Sequence, residues 1–99
     1  MRIIARSTLR AFWENPVYRD SEQPLKAWFN EAKQSEWKKP ADVKILYRNA
    51  SFVANNRVVF NIHGNKYRLV VAIKYDFGAC YIRFIGTHKQ YDKIDAGSI

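Results

Sequence analysis

The stretch VVFNIHGNKYRLVV, residues 58–71, has the pattern of a β-hairpin. Apolar and polar residues alternate on both sides of Gly64-Asn65, a pair that suits a two-residue turn. A hairpin centred there pairs Phe60 with Leu69 on one face of the sheet and Asn61 with Arg68 on the other. A slip of one residue would bury Arg68 among apolar side chains, so the alternation fixes this register.

The sequence on both sides of the hairpin predicts further strands. A turn at Phe77-Gly78 joins the second hairpin strand to another alternating stretch. If this turn is a two-residue loop, Ala72 faces Arg83 and Arg68 faces Thr87. The predicted strands are Arg2–Ala5, Phe52–Ala54, Arg57–Ile62, Lys66–Tyr75 and Ala79–Ile85, with Asn55-Asn56 as the turn between the second and the third.

The first half of the chain has helical spacing instead. Ser7 or Thr8 can cap a first helix that runs to Glu14, and a second helix begins near Asp20 or Ser21. The buried face of the second helix consists of Leu25, Trp28, Phe29 and Ala32. A short helix after Pro40 is expected to turn two side chains inward, Val43 and Leu46. The prediction is a single α+β domain, residues 1–99, with two N-terminal helices on one face of a mainly antiparallel sheet.

Charge is the feature of the composition that bears most on function. The chain has 17 Lys and Arg against 9 Asp and Glu, a net charge of +8. So basic a domain is expected to meet nucleic acid, an anionic membrane or an acidic protein. The single cysteine, Cys80, lies in a predicted strand and fits a core residue in a reducing cytoplasm. No apolar run suits a signal peptide or a membrane span of about 20 residues, so a cytoplasmic protein is expected.

The predicted register brings a set of basic and titratable residues together. It lays residues 87–92 beside Asn61 and Arg68, with Arg83 about 13 Å back along its strand at about 3.3 Å per residue. The resulting groove is long enough for two or three nucleotides. Its lining would be Arg83, Arg68, His88 and Tyr91.

Two motifs in this region resemble those of a known family. The segments 59–70 (VFNIHGNKYRLV) and 81–92 (YIRFIGTHKQYD) resemble the HigB-type toxins of bacterial toxin–antitoxin systems, and the resemblance covers nearly the whole chain. It implies a RelE-like fold, an mRNA interferase activity that depends on the ribosome, and a HigA-type antitoxin with a helix-turn-helix. The antitoxin would also be the route to operator DNA. The positions that match the motifs are Asn61, Asn65, Arg68, Arg83, His88 and Tyr91.

These residues suit a ribonuclease that needs neither metal nor cofactor. RNA carries its own nucleophile, the 2′-OH, so the enzyme must supply a base, an acid and positive charge. His88 is the first candidate for proton transfer because imidazole can exchange a proton near neutral pH, and Tyr91 could replace or assist it. Arg68 and Arg83 would stabilise the phosphate. The expected RNA-binding residues are Asn61, Asn65, Lys66 and Lys89. Which group is the acid and which the base stays open.

Two other functions fit the same composition. The chain could be a non-catalytic RNA- or DNA-binding module, or a domain that only binds an acidic antitoxin. If the groove is not catalytic, the remaining basic residues near the sheet edge are Lys44, Arg48 and Arg57.

Overall fold

The computed structural model describes all 99 residues. They form one five-stranded sheet with helices packed on one of its faces. The strand order is β1-β5-β4-β3-β2, in which β1 runs parallel to β5 and the other pairs are antiparallel. The elements are β1 (Arg2–Ile4), α1 (Arg6–Glu14), a 3₁₀ helix (Pro16–Ser21), α2 (Glu22–Gln34), α3 (Pro40–Leu46), β2 (Ser51–Val53), β3 (Arg57–Ile62), β4 (Tyr67–Lys74), a 3₁₀ turn (Tyr75–Phe77), β5 (Ala79–Thr87) and α4 (His88–Tyr91). The predicted α+β class is confirmed. No helix is long and apolar enough to cross a bilayer.

The main core lies between the helices and one face of the sheet, which we call the helix face. Leu25, Trp28 and Ala32 of α2 are buried there, as the spacing predicts. The sheet contributes alternate residues of β3, β4 and β5: Val58, Phe60, Ile62, Tyr67, Leu69, Val71, Ile73, Cys80 and Ile82. This strict alternation leaves Asn61 and Arg68 on the opposite face.

The predicted register of the central hairpin is confirmed. Phe60 pairs with Leu69 and Asn61 pairs with Arg68. The connecting turn spans His63–Lys66, and the Lys66 N–H donates to the His63 carbonyl at 3.2 Å. His63 and Gly64 both have positive φ, 55° and 66°, and glycine adopts that conformation without strain.

The predicted register between β4 and β5 is wrong. The connection takes in four residues, the 3₁₀ turn Tyr75–Phe77 and Gly78, instead of a two-residue loop. Ala72 therefore pairs with Tyr81. A β-bulge then leaves Arg83 without a partner, because Val71 pairs with Ile82 and Val70 with Phe84.

Beyond the bulge the predicted pairing of β4 with β5 differs from the observed pairing by one residue. Arg68 faces Gly86, and Thr87 faces Tyr67. The apolar pattern could not show the initial offset, because a shift of two residues keeps every side chain on its own face.

Three local predictions in the helices are also wrong. Neither Ser7 nor Thr8 caps α1, which begins after Ala5 in a left-handed conformation with φ of 72°. Leu46, expected to point inward, is 46% exposed, whereas Val43 of the same short helix is fully buried. Residues 88–91, which no helical pattern marked, form α4. Each error falls at the end of an element, where local hydrogen bonds and caps decide the conformation.

The face of the sheet opposite the helices is partly covered by the C-terminal segment, residues 92–99. Ala96 packs in a small apolar cluster with Val59 and Val70, and Ile99 lies against its rim. The Arg57 Nε donates to the main-chain oxygen of Ile99 at 2.7 Å. We call this face of the sheet the open face, because Asn61 and Arg68, near the hairpin turn, lie outside that cluster.

Asp20 joins the 3₁₀ helix to the hairpin turn. Its carboxylate accepts hydrogen bonds from the Lys66 ammonium and from the Tyr67 hydroxyl, the latter at 2.5 Å. The His63 ring nitrogen lies 3.6 Å from the same carboxylate. The bond from Lys66, and then that from Tyr67, hold the pKa of Asp20 below its ordinary value. The turn is therefore fixed to the helical layer.

We expect Asp20→Asn to lower stability at neutral pH and to matter less in acid. A carboxyl with a lowered pKa stabilises the fold above its unfolded pKa, and that contribution disappears as the pH falls below about 4. Urea unfolding at pH 7 and pH 3 measures the difference from the parent protein. Asp76→Asn is the control, since that carboxylate is exposed and unpaired. Equal midpoints for the two variants at pH 7 would contradict the role of Asp20.

Candidate active site

Arg68 lies on the open face, near the hairpin turn. It is half-buried on β4, between Asn61 of β3 and Gly86 of β5. Its Nη1 donates to the Asn65 carbonyl at 2.8 Å and to the Tyr67 carbonyl at 3.3 Å. No carboxylate pairs with the guanidinium, so its charge is available to an anion on this face.

Gly86 brings α4 next to Arg68. A Cβ atom at Gly86 would lie 2.6 Å from Cζ of Phe84 and 2.7 Å from Oε1 of Gln90. Both atoms therefore occupy the space that a larger residue would fill. Because Gly86 is the cross-strand partner of Arg68, α4 and Arg68 lie at the same corner of the sheet.

A capping box starts α4 directly after β5. The Gln90 N–H donates to the Thr87 hydroxyl at 3.1 Å, and the Gln90 side chain accepts from the Thr87 N–H at 2.9 Å. Thr87-x-x-Gln90 is the sequence signature of such a box. The missed helix could have been predicted from that signature.

His88 and Asp92 are joined one helical turn apart. The His88 Nδ1 lies 3.0 Å from an Asp92 carboxylate oxygen, and both side chains are more than half exposed. An ionised carboxylate accepts from Nδ1–H, which leaves Nε2 of the imidazole free to exchange a proton with a ligand. Sequence reasoning gave Asp92 no role because this i, i+4 contact needs the helix that it had missed.

Tyr91 lies on the open face as well. Its ring packs against the apolar cluster of Val59 and Val70. Val70 lies two residues along β4 from Arg68. The structure thus sets α4, which carries His88 and Tyr91, next to the strand pair of Arg68 and Gly86, with Tyr91 packed towards Val70. We call this region of the open face, at the end of β5 and near the hairpin turn, the corner.

The other predicted site residues differ in how close they lie to this corner. Arg83 is exposed at the bulge, nearer the middle of β5. The Lys66 ammonium is held by Asp20 on the helix side of the turn. Asn65 and Lys89 are exposed at the edge of the corner, and Asn61 is half-buried beside Arg68.

The 3₁₀ helix supports the corner from both sides. Its Tyr18 hydroxyl accepts a hydrogen bond from Gln90 of α4 at 3.3 Å, and Asp20 holds the hairpin turn. The Tyr18 ring stacks on Phe12 of α1 with centroids 4.4 Å apart. The two segments that bear the site residues are therefore attached to the same rigid element.

Neither a cluster of metal-ligating side chains nor an accessible thiol is found at this site. No three His, Cys, Asp or Glu side chains converge in the molecule as a metal site would require. Cys80 is fully buried in the core, and burial raises the pKa of its thiol to about 12. The prediction of a structural cysteine is confirmed.

Comparison with known proteins gives this fold and site a family. Residues 21–94 match the family model described as HigB_toxin, RelE-like toxic component of a toxin-antitoxin system. The chain is 30% identical over 95 residues, covering 93% of this chain and 88% of the relative, to the mRNA interferase toxin HigB of Escherichia coli (strain K12). The same values hold for the proteins named mRNA interferase HigB from Escherichia coli O157:H7 and Shigella flexneri.

The matched region contains the hairpin, the bulged strand and α4. The fold is thus of the RelE-like toxin class. The chain belongs to the HigB toxin family, as the resemblance of its two motifs implied.

We expect Gly86→Ala to destabilise the protein by about 1–3 kcal/mol, the usual effect of overpacking. The new methyl group would meet the Phe84 ring and the Gln90 side chain, so α4 would have to move. Urea unfolding gives the free energy of unfolding of Gly86→Ala, of Phe84→Leu and of the variant that carries both changes. Because a smaller residue at 84 relieves the clash, the double variant should lose less than the sum of the two. Strictly additive losses would show that the Phe84 ring is not the obstacle.

Proposed function

We propose that the protein cleaves mRNA on the ribosome at the hairpin end of the open face. It is an enzyme of the mRNA interferase class, the toxin component of a toxin–antitoxin system. The observation that supports this site best is the position of the unpaired Arg68 opposite Gly86, because β5 continues from Gly86 into α4 with its carboxylate-held His88 and its Tyr91.

The reaction begins with the 2′-OH of the substrate. As a base removes its proton, the 2′ oxygen attacks the adjacent phosphorus and the bond to the 5′ oxygen breaks, while an acid protonates that leaving oxygen. Nε2 of His88 is the first candidate for proton transfer, with Asp92 fixing the ring. Tyr91 is the second, because its ring is held on the same face.

Positive charge stabilises the crowded phosphate. Arg68 would bind it from the sheet, and the Asn65 carbonyl orients its guanidinium. Arg83, on the bulge, would contact the RNA further along the groove. Asn61 lies beside Arg68 and would bind ribose or base, while Asn65 and Lys89, exposed at the edge of the corner, would steer the backbone. Lys66, held by Asp20 on the helix side of the turn, would contribute only long-range attraction to the RNA.

The family also indicates partners. A toxin of this class has an antitoxin. We propose a HigA-type helix-turn-helix protein that carries the complex to operator DNA. The other partner is mRNA on the ribosome, in the cytoplasm, and the net charge of +8 favours contacts with ribosomal RNA.

His88→Ala and Tyr91→Phe should each lower the single-turnover cleavage rate by about 10²–10⁴, the usual effect of losing an acid–base group. Ribosome affinity should change little, since neither variant removes a formal positive charge that binding needs. Arg68→Ala and Arg83→Ala should lower the rate and also weaken binding, because each arginine holds phosphate before and during the reaction. Quenched-flow cleavage of mRNA on programmed ribosomes measures the rate.

Lys33→Ala is the control for loss of charge, because Lys33 is exposed on α2 away from the open face. Circular dichroism and antitoxin binding verify that each variant is folded. Folded His88 and Tyr91 variants that cleave at the parent rate would place the chemistry elsewhere.

Expression of the toxin alone should arrest growth, and co-expression of its antitoxin should restore it. The reason is that uncontrolled mRNA cleavage stops translation, whereas a bound antitoxin keeps the toxin from the ribosome. Growth curves with and without each gene measure the effect. Normal growth in the presence of abundant, folded toxin would contradict the proposed function.

A further inference from the structure

A cleft of about 300 Å³ adjoins the proposed site on its β3 side. It lies between the loop that follows α3, residues 47–50, and the end of β3 with the hairpin turn. β2 pairs with β3 only as far as Val59, so the last residues of β3 have no neighbouring strand there. We call this the Arg48 cleft, after the charged residue in its lining.

The Arg48 cleft begins where the proposed site ends. Asn61 lines it and is also the cross-strand partner of Arg68. Adjacent strands lie about 4.8 Å apart, so a position just beyond β3 is roughly 10 Å from the line of β4. Single-stranded RNA that crosses the strands at Arg68 would therefore reach the cleft with a nucleotide close to the scissile phosphate.

Arg48 is the one basic residue near this edge that the protein itself does not engage. Lys44 donates to the Ala50 carbonyl at 2.6 Å, and Arg57 donates to the main-chain oxygen of Ile99 at 2.7 Å. Arg48 is exposed and forms no hydrogen bond or ion pair within the chain. A free guanidinium at the mouth of a cleft suits a phosphate, which it can bind with two parallel hydrogen bonds.

The rest of the lining suits a base or ribose. Asn49 is exposed beside Arg48, and its side-chain amide can both donate and accept hydrogen bonds. The Tyr47 ring forms part of the wall, with its hydroxyl fixed by Glu31 at 2.8 Å and its ring packed against Phe60 at a centroid distance of 5.0 Å. An aromatic wall held in this way can contact the face of a base.

The loop is already shaped in the free protein. Besides the bond from Lys44, the Ala50 N–H donates to the Tyr47 carbonyl at 3.1 Å, which closes a turn. A ligand would therefore need to order little more than the two exposed side chains of the loop, and such preorganisation favours binding.

We propose that the Arg48 cleft binds a nucleotide of the substrate mRNA next to the scissile phosphate, with Arg48 on its phosphate and Asn49 on its base. This inference rests on the proposed function and adds a subsite to it. The subsite makes cleavage sensitive to the identity of that nucleotide, because amide contacts to base edges distinguish bases whereas phosphate contacts do not.

The kinetic test compares Arg48→Ala and Asn49→Ala with Lys33→Ala on programmed ribosomes. Arg48→Ala should raise the toxin concentration for half-maximal rate about tenfold and leave the saturated rate within a few-fold of the parent. Asn49→Ala should change which nucleotide beside the cut is preferred, as mapped by RNA-end sequencing. The inference is overturned if both variants match Lys33→Ala, or if Arg48→Ala weakens binding equally to ribosomes without mRNA, which would assign Arg48 to ribosomal RNA.

A binding experiment separates failure of this inference from failure of the proposed function. The probe is a trinucleotide with 2′-O-methyl riboses, which cannot be cleaved because the nucleophilic hydroxyl is blocked. In NMR titrations of the purified toxin, the side-chain amides of Asn49 and Asn61 should shift together, and Arg48→Ala should weaken that response. Shifts confined to α4 and Arg68 would overturn the subsite while keeping the site itself. Absence of mRNA cleavage by the parent toxin would instead overturn the proposed function.

Discussion

The pairing of β3 with β4 determines where the central cation of the proposed site lies. Val58 with Val71 and Phe60 with Leu69 bury apolar side chains against the helices, and this burial holds the hairpin in one register. The same register sends Asn61 and Arg68 to the opposite face. A cation at the centre of the proposed site is therefore a consequence of how the core packs.

The second requirement is that the segments beside Arg68 keep a fixed position. α4 is a helix of only four residues and would not persist alone, yet its capping box, the tight fit at Gly86 and the contact with Tyr18 hold it. Asp20 holds the hairpin turn from the same 3₁₀ helix. In the proposed site, groups that act on one phosphate would have to stay within a fraction of an ångström of their working positions, and this shared support favours such rigidity.

Much of the site could be predicted from the sequence, but its geometry could not. Motifs and strand pairing predict Arg68, His88 and Tyr91 as site residues, and in the structure α4 lies next to the strand pair of Arg68 and Gly86. The predicted route to that result was partly wrong, because Arg68 faces Gly86 instead of Thr87 and Arg83 lies on a bulge. The contact of His88 with Asp92 was missed, since its i, i+4 spacing has meaning only on a helix. The Arg48 cleft could not be predicted from the sequence either, because its lining comes from separate parts of the chain, the loop after α3 and the central hairpin.

Periodicity and motifs in the sequence are enough to predict the fold class, the central register and the family. Alternating apolar residues specify which face of a strand is buried, and two local motifs specify the toxin family. Contacts in the folded chain set the offset of β5 against β4, the bulge at Arg83 and the packing of residues 92–99 on part of the open face. The physical reason is that periodicity encodes the side on which a residue lies but not its position along the strand. That position depends on loop conformation and on contacts between residues far apart in the chain.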